Sequence, residues 1–454
     1  MTTFDLCVRG GTVIGSSGPA PLDVWIRGGR IAELSRGSGH AAAEEIDATG
    51  LLVLPGMVDT HVHLMEPGDP SRENFLAGSS AAVANGVTTI VEHTHSWPVT
   101  TVRRLAEKRA VLAGRSHVDY GLSAHVWPDN ADQLGDLWRA GVVFFKIFTC
   151  TTHGIEAAGS DRLLSVLTEL ARLDASSLIH CEDELITAAN ERLLRHEGRD
   201  DGGVIPAWRS REAEVVAAAV TATLARLTQA RVTVAHVSHP GVLEVLESER
   251  QRGAMIAAES CPQYFYLREQ DVTELGAFRK FTPPARARTA EDEDAIWAAF
   301  NSGRIHHLST DHAPATREQK AAGIWDAPFG LPGLDTTLPL MIDAALSGRT
   351  TLARIAEAYA EAPARWYGLP GKGRIAQGLD ADLVLVDPQG SRTLSDAVVL
   401  SLAGWTPYAG RQVRGAIRRV LLRGVTVAVE GKPTEARIGR WVPGPGKERT
   451  QECR

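Results

Sequence analysis

VVFFKIF (142–148), RLLSVLTELARLD (162–174) and SLIHCE (177–182) follow one another along the chain. The first and third are short and apolar almost throughout, and the second spaces its leucines and valine as one face of a helix. A strand with one wet face would alternate apolar and polar residues, because successive side chains point to opposite sides. Runs that are apolar on both faces are the strands of a parallel sheet covered by helices. The unit recurs outward from here. VTTIVEH (87–93), VDYGLSAHV (118–126), VTVAHVS (232–238), MIAAESC (255–261) and IHHLSTD (305–311) are further runs, and TVRRLAEKRAVLAG (101–114) and EAEVVAAAVTATLARLTQ (212–229) are further helical stretches. With the strand-like VDTHVHL (58–64) the runs number eight. Eight βα units make a closed barrel. The expectation is an α/β protein with a (β/α)8 TIM-type barrel over residues 56–364.

The two ends read differently. FDLCVRGGTVI (4–14), LDVWIRGGRIAEL (22–34) and EEIDATGLLVLP (44–55) alternate apolar and polar residues around glycine turns, as do GKGRIAQGLDADLVLVD (371–387) and RRVLLRGVTVAVEGKPT (418–434). Short alternating strands with such punctuation are antiparallel β-structure. We expect one small β-sandwich domain built from 1–55 and 365–440, followed by a loose Pro/Gly-rich tail over 441–454. The chain has 454 residues, 44% hydrophobic and 23% charged, which is ordinary globular composition. A net charge of −7 argues against nucleic acid or an anionic membrane as partner. The amino terminus lacks the basic and apolar regions of a signal peptide, and no apolar run reaches the roughly 18 residues of a membrane span. The five cysteines are scattered, without a CxxC pair. A cytoplasmic protein without a disulfide framework is expected.

The strands of such a barrel end at the active face. His61 and His63 end the first run, Lys146 lies in the fourth, and His180, His236 and Asp311 stand at or near the ends of the fifth, sixth and eighth. Imidazole and carboxylate are zinc-type ligands. Each of these residues alone fits a hydrogen-bonded rim position equally well, and the metal reading rests on the joint pattern. Lys146 is unusual, since a buried ammonium is costly without a partner. It reads either as a salt-bridged or snorkelling side chain, or as a desolvated neutral amine able to combine with CO2 to form a metal-bridging carbamate.

HVH after a strand, then Lys146, His180, His236 and Asp311 in that order, resembles the amidohydrolase superfamily. Supporting stretches are GMVDTHVHLMEPG (56–68), ANGVTTIVE (84–92), AHVSHPG (235–241), ESCPQYFYL (259–267), KFTPPAR (280–286), STDHAP (309–314) and FGLPGLDTTLPL (329–340). The chain looks like the cyclic-amide branch: hydantoinase, dihydropyrimidinase, allantoinase and dihydroorotase. The resemblance implies two divalent ions, zinc by default, with Mn, Co or Fe suited to similar ligands. His61, His63 and Asp311 would hold the buried one and His180 and His236 the other, bridged by carboxylated Lys146 and a hydroxide. Asp311 would act as general base and acid in opening a cyclic amide or ureide ring. It also implies a homodimer or homotetramer. The alternatives are a dihydroorotase-like or other amidohydrolase acting on a different amide or imide, and a non-catalytic scaffold of the kind that normally loses metal ligands.

A second HxH, His93 and His95, ends the second run. It reads as rim residues, as substrate contacts or as an extra metal site. Dihydroorotases usually follow HxH with an arginine and carry an asparagine after the second strand; here Met65 and His95 stand at those places. Many hydantoinases place a tyrosine five residues after the lysine, where this chain has Thr151. Thr282 and Gly330 are expected as backbone contacts to the substrate ring, though plain turn structure would also explain them. Trp97, His153 and Phe329 are expected at the mouth, favouring a bulky or apolar substituent.

Overall fold

The computed structural model describes residues 4–37 and 39–447. Its barrel strands are Met57–Val62, Val87–Glu92, Asp119–Leu122 continued by Ala124–His125, Phe145–Phe148, Ser176–His180, Arg231–Val234, Ile256–Ser260 and His307–Leu308. Each pairs in parallel with its neighbour in chain order. The third strand is interrupted at Ser123: its first half pairs with the second strand and its second half with the fourth. A parallel bridge between Val62 and His312, with the His63 N–H donating to the His312 carbonyl at 2.8 Å, joins the eighth strand back to the first. The first, second and fourth to fifth strands are buried along their whole length, which is why their sequences are apolar on both faces.

The helices cover this ring with the expected stripe. Ser160–Arg172 buries Leu163, Val166, Leu167 and Leu170, a spacing that keeps one face inward. Arg211–Thr228 instead buries Ala213, Ala217, Ala218, Ala222 and Ala225, with the Ser210 side chain capping its first turn by accepting from the Ala213 N–H. Such a cap contributes about 1 kcal/mol. No helix among the described residues is long and apolar enough to cross a membrane.

Both chain ends build the small β-domain. A four-stranded sheet runs Arg30–Ser35, Asp23–Arg27, Phe4–Arg9, Ala42–Asp47, and a seven-stranded sheet contains Leu52–Pro55 beside Leu383–Thr393. That last pair is antiparallel, with Leu54 opposite Val384, and it is where the two termini meet. Leu6, Val8, Val24 and Ile26 of the first sheet share one apolar cluster with Val53, Leu383, Leu385 and Leu421 of the second, as in two packed sheets. The buried Lys372 ammonium ties this domain to the barrel: it lies 2.6 Å from Asp119 of the third strand, 2.9 Å from Asp380 and 2.8 Å from Asp382.

Two segments differ from expectation. Residues 394–411, assigned from sequence to the β-domain, hold only the short turn Asp396–Val398 between two long strands. Leu394, Trp405 and Tyr408 pack instead with Trp208 and Phe329 at the barrel rim, and the Trp405 indole N–H donates to the Ala315 carbonyl at 2.8 Å. The expected loose tail is corrected over 441–447. The break at Ser123 leaves an open edge on the third strand, and the chain fills it: the Tyr120 N–H donates to the Arg440 carbonyl at 2.9 Å and the Val442 N–H to the Tyr120 carbonyl at 2.8 Å. The Arg109 guanidinium lies 3.5 Å over the Trp441 ring. The rest of that tail, 448–454, lies outside the described residues.

Candidate metal centre

His61 lies in the first barrel strand and His63 just past its end, so both rings turn into the barrel with Asp59 in the row beneath. Asp59 fixes that strand against the eighth, accepting from the N–H of His61 at 3.2 Å and of Thr310 at 3.3 Å, and from the Tyr359 hydroxyl at 2.8 Å. Strand ends also deliver Lys146, His180 and His236. Asp311 follows the eighth strand. His236 and Asp311 hold left-handed backbone, at φ 38° and 47°. Non-glycine residues rarely adopt that conformation, and where they do it tends to accompany function.

These six side chains share the wall of one small cavity of about 20 Å³. His61 Nε2 lies 3.2 Å from Lys146 Nζ and 3.1 Å from Asp311 Oδ1, and His63 Nε2 lies 3.6 Å from the same carboxylate oxygen. His63 Nδ1 meets the His93 carbonyl at 3.0 Å. A carbonyl only accepts, so Nδ1 carries the proton and the Nε2 lone pair faces Asp311. On the other side His180 Nδ1 lies 2.8 Å from His236 Nε2, and His180 Nε2 lies 2.7 Å from Glu182 Oε2. Burial alone would push Glu182 up, but Arg209 and then His180 outweigh it and bring the carboxyl down to about 2. Ionised Glu182 therefore accepts a hydrogen bond from the His180 Nε2–H, which leaves the His180 Nδ1 lone pair aimed at His236.

Burial, followed by neighbouring imidazoles and Lys146, holds His61, His63 and His236 well below the usual histidine range. They are neutral bases. Burial also lowers the Lys146 amine, against the pull of Glu259 and Asp311. It pushes Asp311 up to about 7, with Lys146 opposing. Neutral imidazoles and a carboxyl converging on one buried cavity are donors of the type a divalent cation takes. The donor set therefore fits two divalent ions, one near His61, His63 and Asp311, the other near His180 and His236, with Lys146 facing the first. Glu182 meets His180 in the arrangement by which an outer carboxylate orients a ligating histidine; Glu259 meets His61 Nδ1 at 2.5 Å, and burial pushes its carboxyl up to about 8.

Of the residues expected at the substrate, Thr282, Phe329 and Gly330 line this cavity, together with His153 and Phe148. A Cβ on Gly330 would lie 2.2 Å from the Ala313 carbonyl oxygen, and its φ of 116° is open to glycine alone, so the wall there is bare backbone. His93 and His95 are not in the wall. His93 packs beneath, 4.7 Å from the His61 ring and 4.5 Å from the His63 ring between centroids. His95 stacks on His153 at 4.2 Å. The cavity wall thus lacks the two histidines expected at the substrate, and the His95 ring lies 5.1 Å from that of His63. Trp97 lies under Arg104 instead of at the mouth. Thr151 faces outward, bonded to Glu184 through its N–H and hydroxyl. Glu182, Glu259 and Arg209 were not singled out by sequence reasoning. The signal was present for the carboxylates, since a lone charge in IAAES and in SLIHCE is as anomalous as Lys146 in VVFFKIF.

The sequence profile described as "Amidohydrolase family" matches residues 52–427. An allantoinase of Rubrobacter xylanophilus is 34% identical over 449 residues, covering 97% of this chain and 98% of its own. An allantoinase of Salmonella newport is 34% identical over 431 residues, covering 93% and 94%. Among solved structures, the chain is similar to the L-hydantoinase (dihydropyrimidinase) from Arthrobacter aurescens, with a TM-score of 0.93 at 29% identity over 97% of this chain and 100% of that one. It is also similar to the dihydropyrimidinase from Brevibacillus agri, with a TM-score of 0.89 at 27% identity over 96% and 98%.

Proposed function

The chain belongs to the amidohydrolase family, and on that premise we propose that it is a binuclear metal hydrolase that opens a cyclic amide or ureide ring of the hydantoin or allantoin kind. The observation that carries this reading is the convergence of four neutral imidazoles, Asp311 and Lys146 on one cavity. His61, His63 and Asp311 would hold one ion, and His180 and His236 the other. When bound, two divalent ions acidify a water at neutral pH and polarise an amide carbonyl.

The remaining steps belong to the chain. Burial lowers the Lys146 amine to about 8, which enlarges the neutral fraction that adds to CO2: a new N–C bond forms, one proton leaves, and the carbamate offers two oxygens that share one negative charge. Asp311, raised to about 7 by burial, accepts the proton of the attacking water and returns it to the ring nitrogen as the C–N bond breaks. A group with a pKa near the working pH suits such two-way transfer. The products are a carboxylate and a freed N–H. Glu182 holds the tautomer of His180, and Glu259 holds the His61 ring in place. The Gly330 N–H is committed to the Lys280 carbonyl at 3.0 Å, so a ring N–H would meet the carbonyl of Gly330. Met65, at the place of the carboxylate-binding arginine, is fully buried and accepts from the Thr94 hydroxyl at 3.5 Å, which counts against dihydroorotate. All six ligand positions are filled, which counts against a scaffold.

The test is a ring-opening panel of hydantoin, 5-aryl and 5-alkyl hydantoins, dihydrouracil, allantoin, dihydroorotate and a cyclic imide, with protein expressed in zinc and bicarbonate. Turnover of a hydantoin or allantoin ring is expected. Lys146→Ala is expected to lose that turnover together with bound metal, and to regain part of it with added short carboxylates. Protein holding two metal equivalents yet opening no ring would refute the ring substrate. Full activity of Lys146→Ala without carboxylates would refute the carbamate.

A further inference from the structure

His93 is buried to 1% exposure, and neither Nδ1 nor Nε2 has a hydrogen-bond partner among the described residues. A buried polar atom without a partner is costly, and native structures supply one from protein, water or an ion. Around His93 the Phe144 ring lies edge-on at 5.5 Å, and the rings of His61 and His63 lie at 4.7 and 4.5 Å. One ring nitrogen each of His61, His63 and His93 lies within 4.8 Å of the others. Nitrogens bound about 2.1 Å from one ion are themselves roughly 3–4 Å apart, so these three lie near the spacing that a single cation requires. His93 is absent from the wall of the substrate cavity, so substrate cannot supply the missing partner.

We propose that His93 is a third imidazole ligand of the metal position formed by His61, His63 and Asp311. With Lys146 that position has five protein donors and one place left for water, so it suits a divalent ion that accepts six ligands. The proposal rests on the binuclear reading above. It assigns the second HxH motif by half: His93 to the metal, His95 to the wall-lining His153 on which it stacks.

Metal content, chelator competition and thermal melting with and without metal test this on wild type, His93→Phe, His93→Gln and, as control, His125→Phe. His125 is a comparable buried histidine whose ring nitrogens have no hydrogen-bond partner among the described residues, its ring 6.4 Å from that of His93. Wild type is expected to bind two equivalents. Both His93 variants should hold one of the two ions at least about 100-fold more weakly, beyond the loss usual for an outer partner. Metal-free His93→Phe should melt no lower than metal-free wild type, because it removes two unsatisfied polar atoms. His125→Phe should leave both affinities unchanged. Two ions at wild-type affinity in the His93 variants overturn the proposal and leave the binuclear reading standing. Fewer than two equivalents in wild type overturn both. Should His93→Phe fail to fold, His93→Gln decides.

Discussion

Replacing Glu182 by glutamine separates the two metal positions. Glu182 Oε2 accepts from His180 Nε2 at 2.7 Å, from the Thr282 hydroxyl at 2.6 Å and from Arg209 at 3.4 Å, so one oxygen links the proposed ligand His180, a cavity-wall residue and a buried cation. The amide of Glu182→Gln can offer its oxygen to His180 or to Thr282 and Arg209, and its NH2 opposes whichever it faces. Losing an outer carboxylate from a ligating histidine typically costs 10–100-fold in metal affinity, or about 1.4–2.7 kcal/mol at about 1.4 per tenfold. Stability falls separately, because Arg209, with 2% of its surface exposed, is left with a buried charge; breaking such a pair costs about 3–5 kcal/mol. Chelator competition would show two classes of ion in the variant: the one near His180 and His236 weakened by that factor, the one near His61 and His63 unchanged. Urea unfolding of the metal-free variant would report the loss of the Arg209, His180 and Thr282 contacts together. If both ions keep wild-type affinity, Glu182 does not orient His180 and the tautomer argument fails.

Asp311→Asn keeps the shape of the general base and removes its proton transfer; kcat should fall by about 10²–10⁴, read on whichever ring the panel identifies, and a loss below tenfold would assign the proton to another group. Glu214 gives a pH test. Burial pushes it up to about 7 against Arg286 and Ser238, so between about pH 4.5 and 7 the native state holds a proton that the unfolded chain releases. Its contribution is fully present below its unfolded value and is lost as pH rises through about 7. Urea unfolding with metal saturating should show Glu214→Gln flattening that slope, and an unchanged slope would refute the assignment.

The barrel strands and the sheets at the chain ends were legible because each is written in local pattern, and so was the convergence of His61, His63, Lys146, His180, His236 and Asp311 on one cavity. A run apolar on both faces is a covered parallel strand wherever it lies, and the i, i+2 spacing of His61 and His63 puts both rings on one side of a strand. Lys146 announced itself by being charged in an apolar run. Pattern of this kind also made His93 and His95 look like a second copy of His61 and His63, since the local chemistry of the two motifs is the same.

What separates the two motifs is distance across the ring. Glu259 reaches His61 over 198 positions and Thr282 reaches Glu182 over 100; such contacts exist only once the barrel has closed, and no periodicity encodes them. Closure placed His93 below the ligand rings and out of the cavity wall, and stacked His95 on His153. It also left the third-strand edge that the chain past residue 440 fills, so a Pro/Gly-rich stretch that reads as loose is held by backbone hydrogen bonds. The sequence by itself determined which side chains face inward, because strand and helix periods are local properties of the backbone. Which of those side chains meet, and therefore which histidines stand ready for a cation and which line the cavity, was decided by the tertiary structure, because imidazole and carboxylate roles depend on partners a few ångströms away in space and far away in the chain.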